Sequence, residues 1–267
     1  MTSADGAAEF ASPAEAYDRY IGRYSGQLAR ELIRVAGIRE QQRALDVGCG
    51  PGALTAELAR VVGPHNVSAL DASEPYVEAC RQRTPGADVR LGIAEALPFG
   101  VGEFDFVFAL LVLNLLDDAE AGVREMTRVA RPGGVVVASV WADDGMPLLQ
   151  SFWEAALAVA PEAVVAISET GRVGYREEQL WALWRQVGLG DVSVGGLEAS
   201  TAYANFDDLW SPIEAGVGKS GELYRSLDSE RRRALRSEMQ ARLGSPTGSF
   251  RLTARAWYVR GTAYGVA

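Results

Sequence analysis

The chain has 267 residues, of which 48% are hydrophobic and 23% charged. That composition excludes a mainly disordered, collagen-like or disulfide-scaffolded protein, and the length supports a sizeable core. Lys plus Arg number 26 against 35 Asp plus Glu, a formal net charge of −9, which argues against a general nucleic-acid-coating role.

Residues 1–12 are small and polar and lack both the charged start and the apolar run of a signal peptide. They are expected to be disordered. From Ala14 to Ala36 the residues Tyr17, Tyr20, Ile21, Tyr24, Leu28, Leu32 and Val35 recur at helical steps. Ala44 to Val47 is a short buried strand, Gly48 to Gly52 a glycine-rich turn, and Ala53 to Val62 a helix stopped by Gly63-Pro64. Val67 to Leu70 is a second strand ending at Asp71. A helix from Glu74 to Arg83, a strand from Val89 to Ile93 and an apolar strand from Phe104 to Leu110 follow. Glu120 to Arg131 reads as a helix, Pro132-Gly133-Gly134 as a turn, and Val135 to Val140 as a fifth strand. Strands alternating with helices at this spacing imply βαβ units and a parallel sheet covered on both faces.

After Trp141 the rhythm changes. Leu148 to Ala160 and Glu177 to Val187 read as helices, and Val192 to Tyr203 and Phe250 to Gly261 as strands. Phe206 to Leu243 is mostly helical, its last helix starting at Ser229 behind the N-cap candidate Asp228. Arg231-Arg232-Arg233 reads as a solvated face. Lys219 is the only lysine, and with abundant Ala and Gly this reads as the composition of a GC-rich bacterial genome. Cys49 and Cys80 are two thiols far apart in sequence, expected to be free. No apolar run approaches the roughly 18 residues of a membrane span. The expectation is a cytoplasmic protein without membrane or nucleic-acid partners.

Glycines between a strand and a helix let the backbone turn tightly and let a ligand approach the main chain. The helix start behind them offers unpaired N–H groups. Read as Gly48-x-Gly50-x-x-Ala53, the loop fits a dinucleotide fingerprint. Read as Asp46-x-Gly48-x-Gly50-x-Gly52, it resembles motif I of the class I S-adenosylmethionine-dependent methyltransferases. Asp71, about 20 residues past the glycines, could accept from ribose hydroxyls in either cofactor; the bland alternative is a helix cap. Three features favour the methyltransferase. Asp46 is a buried acidic residue just before the loop. Gly92 to Phe99 with Phe104-Asp105-Phe106-Val107 resembles the family's third-to-fourth-strand passage. Leu113 to Asp118 and Arg128 to Gly134 resemble its later motifs. The match runs in order from Ala44 to Val140, and the sub-group resembled is the ubiquinone/menaquinone-biosynthesis-like small-molecule methyltransferases.

The resemblance implies a Rossmann-like α/β fold: a seven-stranded, mostly parallel sheet, an antiparallel last strand (Phe250 to Gly261) and helices on both faces. It implies one domain over 13–267, with a core at 38–142, 175–204 and 248–262. Lid helices would occupy 13–37 and a helical substrate cap 145–174 and 205–247. Cofactor contacts are expected from Asp46, Gly48, Cys49, Gly50, Gly52, Asp71, Ala72, Ala94, Glu95, Ala109 and Asn114. Tyr20, Arg23 and Tyr24 are expected as lid contacts, or simply as a helix packed on the sheet. The family often has an acidic residue where Ile93 stands and a His near Asn114. Cys49 is read as a small filler in a tight turn.

Methyl transfer from a sulfonium is a direct displacement that needs alignment and no metal. The one histidine, His65, precedes the second strand, at the wrong end of a parallel sheet for chemistry. Asp143, Asp144 and Tyr20 are the weak catalytic candidates. Trp141, Phe152, Trp153, Phe206 and Trp210 are the candidate substrate wall, suited to a small hydrophobic or aromatic metabolite. Two other readings stand beside this one. One is a non-catalytic S-adenosylmethionine- or S-adenosylhomocysteine-binding protein. The other is a nicotinamide-dependent oxidoreductase, for which no Tyr-x-x-x-Lys pair exists. A homodimer through the N-terminal helix is an open option.

Overall fold

The computed structural model describes residues 14–168 and 175–264. The expected disorder of residues 1–12 and part of the expected cap, 169–174, lie outside them. Seven strands form one sheet in the order β3-β2-β1-β4-β5-β7-β6. They are β1 (Ala44–Val47), β2 (Val67–Asp71), β3 (Asp88–Leu91), β4 (Phe104–Leu110), β5 (Ala130–Trp141), β6 (Gly190–Tyr203) and β7 (Phe250–Thr262). The first five pair in parallel, and β7 runs antiparallel between β5 and β6. The strand order therefore reverses between β1 and β4, where the carboxyl ends of open α/β sheets part to make a crevice.

Strand alternation sorts the core into two layers. Val135 and Val137 of β5 face one apolar cluster, while Val136, Ala138 and Val140 face the other. The first layer takes α2 (Gly22–Ala36) and α3 (Ala53–Val62); the second takes α5 (Ala119–Val129) and α8 (Glu177–Gln186). Between α3 and α5 in sequence comes α4 (Glu74–Arg83), whose Val77 and Cys80 pack on Ala69 and Val89. Phe104 faces the second layer and Phe106 the first, although two residues apart should share a face. The pairing register shifts between them, with Phe104 opposite Ala130 and Phe106 opposite Val135. That bulge absorbs Arg131 to Gly134, so the expected turn there is the start of β5 itself.

The expected single helix from Ala14 to Ala36 is two. Helix α1 (Ala14–Arg19) ends in a tight turn in which Tyr20 N–H bonds Tyr17 carbonyl, and α2 then starts at Gly22. The apolar stripe of α2, with Tyr24, Leu28 and Leu32 fully buried, is used inside the chain. Beyond the common core sit α6 (Pro147–Val159), α7 (Pro161–Ser168), α9 (Phe206–Glu214), α10 (Gly218–Ser226) and α11 (Ser229–Arg242). Helix α7 was not foreseen. Arg242 with Glu154, and Arg231 with Glu162, tie α11 to α6 and α7 at 2.9 Å each. Asp228 caps α11 as expected, accepting from the N–H groups of Glu230 and Arg231. No helix of the described residues is long and apolar enough to cross a membrane.

Candidate active site

A cavity of about 280 Å³ opens at the carboxyl ends of β1, β2 and β4. Its floor is the glycine loop. Gly48 and Cys49 both donate their N–H to Leu70 carbonyl at 2.9 Å, which ties the loop to the end of β2. Gly50 has φ +52° and no atom within 4 Å of where a Cβ would stand. It lines the cavity, so a ligand can lie against the main chain there. Gly52 has φ +92°, and a Cβ on it would meet Cys80 Sγ at 2.8 Å. One glycine thus opens the cavity and the other lets α3 approach α4.

Asp71 stands at the cavity wall. One carboxylate oxygen accepts from Gly50 N–H at 2.8 Å and the other from Ser73 N–H at 2.9 Å. Burial pushes its carboxyl up, against the opposing pull of these N–H donors. A carboxylate has about four lone-pair sites, so two main-chain bonds leave acceptor capacity for hydroxyls. Glu95 and Asp117 also line the cavity, which makes its rim acidic. Ala72 and Ala94 complete the expected residues found there, and Ile93, 46% exposed, presents an apolar side chain beside them.

Asp46 lies behind the loop, fully buried. One oxygen accepts from Thr55 Oγ1 at 2.7 Å, and the other has no partner. Burial pushes its carboxyl up to about 7, with the charge of Asp71 adding and the Thr55 donors opposing. Cys49 also sits behind the loop; its hydrogen bond to Cys80 and burial push its thiol up, which keeps it a protonated filler. Gly52 and Ala109 do not line the cavity either: Gly52 is pressed on Cys80, and Ala109 points into the second core layer. Asn114 is outside the lining, and its carbonyl oxygen is buried without a partner.

The lid candidates are held elsewhere. Tyr20 bonds Ser220 Oγ at 2.9 Å, Tyr24 bonds the Tyr203 hydroxyl at 3.1 Å, and Arg23 forms an ion pair with Asp208. One turn earlier, Tyr17 does reach the cavity, its ring 5.6 Å from that of Tyr76, which lines it too. Sequence reasoning placed Tyr17 on the right stripe but not at the site, because the break after Arg19 changes which face turns inward. Tyr76 and Leu111 were missed altogether. Leu111 has φ +62°, costly for a branched side chain. Its N–H bonds the carbonyl of Ser139 at 2.9 Å. Only an unusual backbone angle marks this residue, and no sequence pattern reports that.

The other candidates lie away from the cavity. Asp143 pairs with Arg176 at 3.3 Å and Asp144 with Arg255 at 3.5 Å, both on the surface. Trp141 meets Tyr24 edge-on at 6.1 Å, Phe152 meets Trp153 at 5.2 Å, and Phe206 stacks on Trp210 at 5.9 Å. These five aromatics belong to the core cluster between the sheet and the cap helices.

A glycine-floored cavity at the strand-order reversal, an acceptor carboxylate at the end of β2 and an antiparallel β7 between β5 and β6 define a Rossmann-like methyltransferase fold. Comparisons with known proteins agree. Residues 45–138 match the family model described as a methyltransferase domain. The chain is 29% identical over 184 residues to malonyl-[acyl-carrier protein] O-methyltransferase of Salmonella typhimurium, covering 67% of this chain and 72% of the relative. It is 33% identical over 128 residues to demethylmenaquinone methyltransferase of Staphylococcus aureus, of which it spans about half (53%), with 46% of this chain aligned. The solved structure of YcgJ from Bacillus subtilis superposes with a TM-score of 0.57 at 16% identity, over 89% of this chain and 98% of that one. These similarities support a class I S-adenosylmethionine-dependent methyltransferase, with the methyltransferase domain at residues 45–138.

The residues present fit that cofactor. The rim carboxylates suit its cationic sulfonium and ammonium, Asp71 its ribose hydroxyls, and the unpartnered Asp46 oxygen is a buried acceptor lacking a donor. Among the described residues no three His, Cys, Asp or Glu side chains gather as a metal-ligand set.

Proposed function

We propose that the protein transfers the methyl group of S-adenosylmethionine to a small, apolar or aromatic metabolite. The observation that carries the cofactor assignment is Asp71, bridging Gly50 N–H and Ser73 N–H on the wall of the glycine-floored cavity. In this reading Asp71 accepts from the ribose hydroxyls and the Gly48 to Gly50 main chain lies against the amino-acid end. Ile93 covers the adenine face, and Ala94 N–H and Glu95 meet its edge. Asp46 acts from behind the loop, its spare oxygen oriented toward the ammonium. When bound, the cofactor supplies an electrophilic methyl on a sulfonium. The chain's part is to bind and orient it, to exclude water and to align a nucleophile in line with the carbon–sulfur bond.

With Asp71 given to the ribose, Glu95 and Asp117 are the other carboxylates lining the cavity and the candidate proton acceptors; Asp143 and Asp144 are paired with arginines on the surface. The apolar side chains on the cavity wall, among them Ile93, Leu111, Val112 and Leu116, favour a hydrophobic metabolite over a polar one, and the net charge of −9 speaks against nucleic acid. Of the two relatives' named substrates, demethylmenaquinone is an apolar quinone and fits this reading, while malonyl-[acyl-carrier protein] is a carboxylated acyl group on a protein carrier.

The test is label transfer from methyl-tritiated S-adenosylmethionine to a panel of naphthols, naphthohydroquinones and acyl thioester carboxylates. Label in any extracted product supports the reading. Tight cofactor binding with no transfer to any acceptor favours the non-catalytic binder.

A further inference from the structure

Cys80 of α4 stands outside the cavity lining and behind the glycine loop. It is fully buried, in one cluster with Cys49, Ala69, Val77 and Val89. Its Sγ, Cα and Cβ come within 2.8 to 3.3 Å of where a Cβ on Gly52 would stand. The bare Gly52 backbone is thus what lets this residue reach the loop. Thr55 of α3 and Asp46 of β1 are buried beside it, both 0% exposed.

The polar atoms here form one chain. Thr55 gives its hydroxyl proton to Asp46 at 2.7 Å, so its oxygen is free to accept. Cys80 donates to that oxygen, Sγ to Oγ1 3.5 Å, within the reach of a thiol. With its own proton spent, the Cys80 sulfur accepts from Cys49, whose thiol also faces the Gly50 carbonyl at 3.5 Å. The order is Cys49, Cys80, Thr55, Asp46, and it ties the loop, α4, α3 and β1 together. Every proton points towards the carboxyl, so each bond polarises the next. The chain ends on one Asp46 oxygen and leaves the other without a partner.

We propose that Cys80 is a positioning residue for cofactor binding: it holds the glycine loop through Cys49 and, through Thr55, fixes which Asp46 oxygen is left for the cofactor. This rests on the S-adenosylmethionine reading above and adds a residue outside the cavity wall to it. Packing and hydrogen bonding make different demands at this position. Serine is smaller than cysteine, so it does not restore lost packing. Its hydroxyl is the better donor and acceptor, so it does restore the chain.

The experiment is calorimetric titration of the full chain with S-adenosylhomocysteine, in the wild type, C80S, C80A and C80V, with melting temperatures taken alongside. The expected result is that C80A and C80V bind about five- to tenfold more weakly, the worth of one neutral hydrogen bond. C80S stays within about twofold of the wild type in affinity, even where its melting temperature falls with that of C80A. C80V lacks the donor but keeps apolar bulk, and it carries the comparison with C80S should C80A not fold. A C80S as weak as the variants without a donor reduces Cys80 to packing and overturns the proposal. Wild-type affinity in the folded variants without a donor overturns it too, and leaves the cofactor reading standing. A wild type that does not bind S-adenosylhomocysteine contradicts the cofactor reading, and this inference with it.

Discussion

Asp46 and Asp71 are neighbouring carboxylates, each raised by burial, that differ in how they are answered. Asp71 is met by two main-chain N–H groups; Asp46 has one oxygen on Thr55 and one on nothing. Replacing Asp71 by Ala removes charge-assisted acceptors and is expected to weaken S-adenosylhomocysteine binding by about 1–3 kcal/mol, read by calorimetry. Unchanged affinity in a folded variant contradicts the ribose assignment. Asp46 has a pH signature. Its folded carboxyl is raised to about 7, against about 3.9 in an unfolded chain. The folded state therefore holds the extra proton between those values. Stability is full below about pH 4 and is lost as pH rises through about 7. Burial raises Asp71 in the same direction. Asp46→Asn cannot ionise, so its melting temperature should gain on the wild type between pH 5 and pH 8. A gap that stays constant over that range refutes the buried, raised carboxyl.

At the scale of elements, the glycine loop makes a paired prediction. Gly50 and Gly52 share the left-handed backbone, so alanine at either costs about 1–2 kcal/mol in conformation alone. Only at Gly52 does the new methyl collide with Cys80. G52A should lower the melting temperature more than G50A. G50A should lose more cofactor affinity than stability, because its methyl enters the cavity. Equal melting losses would contradict the loop geometry. The same loop shows what was legible beforehand. Asp46, the three glycines and Asp71 stood out because strand, turn and next strand end carry chemistry at fixed offsets. Tyr17, Tyr76 and Leu111 did not, since a helix break, a packed ring and a strained backbone angle leave no periodic trace. Asp46 holds Thr55, a contact between a strand and the helix after the loop that the residue pattern does not announce.

For the whole molecule, alternation of apolar strands with helices was enough to read the parallel half of the sheet. Strand order was not in that periodicity; the antiparallel last strand came from the resemblance, and the structure sets it between β5 and β6. The substrate side was the least legible part. The aromatics of the cap look alike in sequence whether they line a pocket or fill a core. In the structure Phe152, Phe206 and Trp210 are packed under the cap rather than open to the cofactor cavity. Cap residues are specified by burial, which any apolar residue of the right size satisfies, whereas the cofactor loop is specified by backbone geometry that only glycine meets. The cofactor is accordingly the firmer half of the account and the one to test first. Calorimetric titration of the purified chain with S-adenosylmethionine, S-adenosylhomocysteine, NADH and NADPH does so. The account predicts saturable micromolar binding of the two sulfur cofactors and none of either nicotinamide. Binding of a nicotinamide, with the sulfur cofactors ignored, would contradict it.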